Sequence, residues 1–443
     1  MSCRGGSSRS CIPVQQPKTK RARGRIALSG VDLQPLGLVG GSDGLALRLW
    51  RPISGTWRQS QGNVRLRKEM RGLPSSLRVA ISRPRPQGAF MRRRTLLKML
   101  ALPAAAVAGG ATYVSAARSQ NHYYRGPVSD HFDGVRFFSP GQPQDKGVAE
   151  LLRWHIGGGR IPWPETFESP FRDRPPPRVA DLRVALVGHA TILIQTAGLN
   201  IITDPVFSER ASPLSFIGPR RVNPPGIAFK DLPPIDAVLI THNHYDHLDL
   251  EALGRLWNRD RPKIIAPLGN DAIIRDADPA IEVESCDWGG AVDLGGAVRV
   301  HCEPCNHWSA RGMNDRRMAL WCAYVITTPS GPIYHVGDTG YGDGAIFRRV
   351  REQYGAPVLA HLPIGAYEPR WFMEPQHMNP ADAVKALEEC GARMALGHHW
   401  GTFRLTNEGV DDPPRALAEA LAISGVPAER FRALRPGETW MPD

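Results

Sequence analysis

From residue 181 onward, short β-branched runs alternate with turn-forming residues. The runs 183–187, 191–196 and 200–203 predict three successive strands, and 237–241, 263–266, 298–301, 319–327, 333–336 and 358–362 predict six more. Apolar residues three or four apart predict helices over 250–257, 380–390 and 413–424. Asp249 is placed to cap the first helix, Asn379 and Pro380 open the second, and Gly391 ends it. Strands dominate, helices are distributed among them, and no repeat is visible. This pattern predicts one αβ domain over 181–443. The Pro- and Arg-rich stretch 118–180 reads as a lead-in wrapped over it.

The first 118 residues have a different character. Residues 1–90 are rich in Arg, Gly, Ser and Pro and hold no sustained periodicity, so they read as a disordered basic extension. A second start at Met91 also allows that they are not translated. Met91-Arg92-Arg93-Arg94-Thr95-Leu96-Leu97-Lys98 is a charged segment followed by an Ala-dominated apolar run over 99–112 and small residues at 115–117. That layout reads as an export signal over 91–117, with paired arginines resembling a twin-arginine signal. An uncleaved membrane anchor through residues 96–112 is the competing reading. Export by this route delivers a folded periplasmic protein.

Composition narrows the class. The chain has 443 residues, 42% hydrophobic and 22% charged, which excludes a coiled coil, a collagen-like fibre and wholesale disorder. No apolar stretch approaches the length of repeated membrane spans. The net charge of +12 is carried by the head: residues 1–90 hold 17 Lys+Arg and 3 Asp+Glu, whereas 119–443 hold 33 against 40. The basic balance therefore gives no nucleic-acid partner. Of the seven cysteines, five (Cys286, Cys302, Cys305, Cys322, Cys390) lie in the body, without framework spacing. They read as buried thiols with at most one adventitious disulfide.

The chemistry concentrates in Thr241-His242-Asn243-His244-Tyr245-Asp246-His247. Three of the chain's 14 histidines fall within these positions, directly after an apolar strand and before a capped helix. A strand-to-helix turn lets the side chains converge. Imidazole nitrogen suits zinc, iron and related ions, and carboxylate adds charge compensation. Four candidate ligands within six residues exceed the three that a catalytic zinc usually takes from protein, which points to two ions. The other reading of this stretch is a polar loop of satisfied histidines, which its density disfavours. Further candidates stand at predicted strand ends: His307 in Asn306-His307-Trp308, Asp338 in Gly337-Asp338-Thr339, and His398-His399 before Trp400. Taken singly these would be structural; taken with the loop they complete a two-metal set.

The HxHxDH loop with downstream His, Gly-Asp-Thr and His resembles the metallo-β-lactamase superfamily. Val187-Gly188-His189-Ala190-Thr191, Thr203-Asp204-Pro205, Gly218-Pro219-Arg220, the run 232–249 and Tyr367-Glu368-Pro369-Arg370-Trp371-Phe372-Met373 are similar to the branch of N-acylphosphatidylethanolamine-hydrolysing phospholipase D and its bacterial relatives. The resemblance covers roughly 130–405. It implies a metallo-β-lactamase fold, a four-layer αββα sandwich.

The resemblance also implies two zinc ions per chain. His242, His244 and His307 would hold one, Asp246, His247 and His399 the other, and Asp338 would bridge them. His399 is preferred to His398 because the family's ligand directly precedes Trp-Gly-Thr-Phe. Asp246 and Asp338 would also act in catalysis, Asp246 by orienting a metal-bridging hydroxide. His377 matches a family histidine beside the phosphate, its alternative being a surface loop histidine. His189 reads as a neighbour of the ligands, and Asp204 as a group that holds a ligand's second ring nitrogen. The ligand set favours zinc but tolerates manganese or iron. A diiron redox centre fits less well, since that branch is expected to carry a carboxylate where this chain has His244.

The implied function is a phospholipase D-type phosphodiesterase acting on N-acylphosphatidylethanolamine-like lipids, with peripheral membrane contact. Trp371 and Phe372 would line an apolar groove, or else pack as ordinary core. A lactonase or other ester hydrolase, and a metal-binding protein without turnover, are the alternatives.

Overall fold

The computed structural model describes residues 120–141 and 146–442. The readings made for 1–90 and 91–117 lie outside the described residues. Among the described residues no helix is long and apolar enough to cross a membrane.

Two seven-stranded sheets face each other. The first runs β14-β1-β2-β3-β4-β5-β6 and the second β13-β12-β11-β10-β9-β8-β7. In the first, β1 (Arg183–Gly188), β2 (Thr191–Thr196) and β3 (Leu199–Thr203) are antiparallel, and β3, β4 (Ala237–Leu239), β5 (Lys263–Pro267) and β6 (Val283–Cys286) are parallel. The second repeats the plan. β7 (Ala291–Gly295), β8 (Val298–Glu303), β9 (Ala323–Thr327) and β10 (Ile333–His335) are antiparallel, then β10, β11 (Leu359–Pro363), β12 (Met394–His398) and β13 (Phe431–Ala433) are parallel. The last strand, β14 (Thr439–Trp440), returns to the edge of the first sheet beside β1.

Helices cover the outer faces. α2 (Leu250–Asp260) and α3 (Asn270–Ala277) set Leu253, Leu256, Trp257, Ile273 and Ile274 against the first sheet. α4 (Ala345–Tyr354), α6 (Pro380–Cys390) and α7 (Asp412–Ser424) set Phe347, Val350, Leu387, Leu417 and Leu421 against the second. A third apolar layer lies between the sheets, including Val184, Ile194, Leu239, Tyr324, Ile333, Leu359 and Leu396. The order helix, sheet, sheet, helix is the expected αββα sandwich. Because both faces of each sheet are covered, central strands are buried throughout, which explains their continuous apolar runs. Within β9, Tyr324 and Ile326 face the inter-sheet layer while Ala323 and Val325 face the helices.

The caps follow the sequence reading. Asp249 Oδ1 accepts the Ala252 amide at 3.0 Å, Asn379 Oδ1 accepts the Asp382 amide at 2.8 Å, and Gly391 is left-handed. Several elements differ. The strand expected over 319–327 begins at Ala323, because the amides of Leu320 and Cys322 bond instead to the Leu268 and Thr241 carbonyls. β6, β7, β13, β14, α3 and α4 were not expected. β6 carries an exposed Glu284-Ser285 pair and β14 has only two residues, so neither shows an apolar run. The body cysteines are all free and buried, so the adventitious disulfide does not form among the described residues.

The lead-in packs against the body. α1 (Val148–Gly157) lies within it, and Phe132 and Phe137 are buried against Trp321 and Cys305 of the second core. Asn121 Nδ2 donates to the Val135 and Met318 carbonyls, and Tyr123 hydroxyl donates to Asp315. A short helix, α5 (Arg370–Met373), precedes His377.

Candidate metal centre

The ends of β4, β8, β10 and β12 deliver the candidate ligands to one place. After β4 the chain turns through 242–248 into α2, and the Leu248 amide bonds back to the His244 carbonyl. Asp338 follows β10 through Gly337, whose φ is +65°. A Cβ there would sit 2.8 Å from Thr241 Cγ2, so glycine is required for the close approach. His399 follows β12 and is itself left-handed at φ +63°, a conformation uncommon for a residue with a side chain. This turn separates His399 from its neighbour: His399 Nε2 faces the centre, and His398 points into the inter-sheet layer.

The structure brings together all seven residues singled out as ligands. His242, His244 and His307 form one group whose ligand atoms lie within 4.8 Å of one another, and Asp246, His247 and His399 form another, joined by His189. Asp338 groups with His242 and His247 and also with His307 and His377. Its Oδ2 is 3.2 Å from His247 Nε2, 3.1 Å from His399 Nε2 and 3.7 Å from His307 Nε2. It therefore stands between the groups. His242 Nε2 lies 2.9 Å from His244 Nδ1, and His399 Nε2 3.2 Å from His247 Nε2. Nitrogen lone pairs aimed at one another at such distances repel unless a proton or a cation lies between them.

The opposite ring nitrogens are mostly committed to protein. His247 Nδ1 donates to Asp204 Oδ2 at 2.8 Å, and His307 Nδ1 donates to the Gln376 carbonyl at 3.0 Å. His242 Nδ1 lies 3.0 Å from Thr241 Oγ1, which in turn donates to Asp204 Oδ2 at 2.6 Å. These bonds leave the Nε2 atoms of His242, His247 and His307 free to bind an ion. Imidazole and carboxylate in this proportion fit zinc, with every second-layer requirement of these three ligands met.

Charges are arranged accordingly. Burial holds His242 and His307 well below the ordinary imidazole range and lowers His244 to about 4, so these rings are neutral and ready to bind. For His399 burial is opposed and outweighed by Asp338 and Asp246, which raise it to about 9. His247 is raised likewise by Asp338, Asp246 and Asp204 against its burial. The carboxyls of Asp246 and Asp338 would be raised by burial, but the surrounding histidines hold both well below the usual carboxylate range.

His377 is buried, with Nδ1 4.0 Å from Asp338 Oδ2, and burial lowers it to about 4. It is not a surface loop residue. Arg370 fixes it by donating from Nη1 to the His377 carbonyl and from Nη2 to Asp382, each at 2.8 Å. His189 Nε2 lies 2.9 Å from Asp246 Oδ2, as a neighbour that orients this carboxylate.

Two supporting groups were not legible in the sequence. The Gln376 carbonyl is a backbone atom and carries no residue signature. Arg311, four residues after His307 but in no motif of its own, donates from Nη1 to the carbonyls of Asn243 and Leu248 at 2.9 and 2.8 Å, and its guanidinium lies 4.0 Å from the centre of the Tyr245 ring. It clamps both ends of the ligand loop.

Known proteins resemble this chain in sequence. Residues 199–400 match the β-lactamase superfamily domain. The chain is 36% identical over 264 residues to N-acyl-phosphatidylethanolamine-hydrolyzing phospholipase D 1 of Caenorhabditis elegans, covering 57% of this chain and 74% of that protein. It is 32% identical over 333 residues to an uncharacterized protein of Mycobacterium tuberculosis, covering 73% and 86%. It is 26% identical over 253 residues to a metal-dependent hydrolase of Caldivirga maquilingensis, covering 57% and 94%. The chain belongs to the metallo-β-lactamase superfamily, in the branch of N-acylphosphatidylethanolamine-hydrolysing phospholipase D and its bacterial relatives, and is a metal-dependent hydrolase.

Proposed function

We propose that this hydrolase is a two-zinc phosphodiesterase of phospholipase D type that acts on N-acylphosphatidylethanolamine-like lipids. The observation that carries the reading is the convergence of two ligand groups on Asp338, with His377 set 4.0 Å from its Oδ2. A relative of 36% identity bears that activity in its name.

Zinc bound by His242, His244 and His307 and by Asp246, His247 and His399 would supply a Lewis acid for a phosphoryl oxygen and an acidified water. Asp338 Oδ2 faces histidines of both groups and so sets the spacing of what they hold. Asp246, oriented by His189, positions the attacking water. In the reaction the water's oxygen bonds to phosphorus, the phosphorus–headgroup oxygen bond breaks, and a proton passes to the departing alkoxide. His377, whose Nδ1 has no protein partner, is placed to hydrogen-bond the phosphate or that leaving oxygen.

Lipid access is supported by exposed apolar side chains on segments tied to the site. Ile156 of α1 is 82% exposed, Phe216 is 76% exposed, and Trp371 is 39% exposed. α1 is held by Trp154, which donates to Asn407 and stacks on Phe372 at 5.0 Å, five residues before His377. The loop bearing Phe216 returns at Val222, whose amide bonds to the Thr402 carbonyl, three residues after His399. These residues are proposed to contact the lipid surface. Export through segment 91–117 belongs to the same reading and is tested by the N-terminus of the protein recovered from the periplasm.

The test is zinc analysis of the purified chain, followed by phosphodiester and lactone substrates on the same sample. Two zinc ions per chain and faster phosphodiester cleavage are expected. Faster lactone opening, or cleavage that survives full metal removal, overturns the reading. A His377→Ala variant is expected to keep both zinc ions and lose about a hundredfold or more in turnover.

A further inference from the structure

Besides His189 and His377, which line the metal centre, three further histidines outside the ligand set are fully buried: His335 at the end of β10, His361 in β11 and His398 at the end of β12. Their strands are neighbours, with His335 opposite His361 and Pro363 opposite His398. Alternation sends all three into the inter-sheet layer, because Ile333, Leu359 and Leu396 on the same faces belong to that core. The His335 ring centre lies 5.6 Å from that of His361 and 5.5 Å from that of His398.

None of the six ring nitrogens has a hydrogen-bond partner in the protein. All three rings lie in the apolar inter-sheet layer with no carboxylate bonded to any of them, so each is a neutral imidazole. A neutral imidazole carries one N–H donor and one acceptor. Buried polar atoms of folded proteins are paired, with protein or with water. The cluster therefore needs an occupant that both donates and accepts.

A cation meets only half of that need. It takes lone pairs and leaves each N–H orphaned, whereas metal-binding histidines give their second nitrogen to a carboxylate or carbonyl. His247 and His307 do so; these three do not. Among the described residues, the groups whose ligand atoms converge within 4.8 Å all belong to the metal centre. Water both donates and accepts. The metal centre also lacks partners on this account: Asp338 Oδ1 and His399 Nδ1 are buried and unpaired. Asp338 lies three residues beyond His335, and His399 directly follows His398.

We propose that His335, His361 and His398 hold a cluster of internal water molecules that completes the hydrogen bonding of Asp338 and His399. The cluster is an outer layer of the metal centre. It rests on the ligand assignment above and not on the identity of the substrate.

The test uses the zinc-loaded full chain and a His335→Leu, His361→Leu double variant, in which apolar side chains of similar size replace the rings. Oxygen-17 magnetic relaxation dispersion counts long-lived internal water, and transfer of zinc to excess chelator gives its release rate. The variant is expected to lose long-lived water and to release zinc about tenfold faster, with zinc content at saturation unchanged. Unchanged relaxation, unchanged release, or a third zinc ion in the native chain that the variant lacks overturns the proposal. If the double variant does not fold, His361→Asn is compared with His361→Leu. Asn keeps a donor and an acceptor and should release zinc more slowly than Leu; equal rates overturn the proposal. Neither readout involves turnover, so failure here is distinct from failure of the phosphodiesterase reading.

Discussion

Asp204 Oδ2 lies 2.8 Å from His247 Nδ1, and neither side chain reaches solvent. The same carboxylate accepts the Thr241 amide at 2.7 Å and the Thr241 hydroxyl at 2.6 Å, and that hydroxyl lies 3.0 Å from His242 Nδ1. One buried carboxylate thus orients a histidine in each of the two ligand groups.

Replacing Asp204 should loosen both groups together. Asp204→Ala is expected to weaken zinc binding by about ten- to a hundredfold, read by competition with a chelator. Loss confined to one of the two ions would show that the Thr241 link to His242 carries no weight.

The doubled histidine separates cleanly by geometry. His399→Gln should leave about one zinc per chain and abolish turnover, because His399 Nε2 faces Asp246 and Asp338 at 3.3 and 3.1 Å. His398→Gln should keep two. Metal analysis of the two purified variants checks this directly.

Arg311 should matter although it belongs to no motif, because it ties the segment after His307 to the ligand loop. Removing the guanidinium frees two carbonyls of the ligand loop and a ring contact. Arg311→Ala is expected to cost about 2–4 kcal/mol of unfolding free energy, with Arg311→Lys recovering part. Denaturant unfolding of the zinc-loaded protein measures it, and no loss in either variant would remove Arg311 from the loop's support.

The acid limb of stability has an identifiable contributor. Burial lowers His361 from 6.5 to about 3 in the folded chain. Between those values the unfolded chain binds the extra proton, so the stability conferred is present above about pH 6.5 and is lost as pH falls toward 3. His361→Leu should flatten the slope in that window by up to about 1.4 kcal/mol per pH unit. Urea unfolding at a series of pH values reads the slope, and an unchanged slope would mean that His361 is solvated like an exposed ring.

Much of this was legible in the chain because it is local. Nine strands were expected from apolar runs, and each has a counterpart in β1–β5 and β8–β11, although 319–322 pair across to other loops. α6 spans the expected 380–390, since a cap, a proline and a closing glycine all lie within its own residues. The short or polar edge strands β6, β7, β13 and β14 left no such trace, because their formation depends on a neighbouring strand and not on their own burial.

The sequence by itself determined the cluster from His242 to His247, because three imidazoles and a carboxylate within one turn are neighbours in any fold. His307, Asp338 and His399 were also named from the sequence, at predicted strand ends and by family likeness, whereas tertiary structure decided how the ligands are held. It turned His399 toward the centre and His398 away from it through a left-handed residue at a strand end, supplied the Gln376 carbonyl to His307, and brought Arg311 onto the ligand loop. It also gathered His335, His361 and His398 behind the metal centre. Such contacts join residues up to about 150 positions apart. They depend on which strands lie side by side and which face each residue presents, and no local pattern of side chains encodes either.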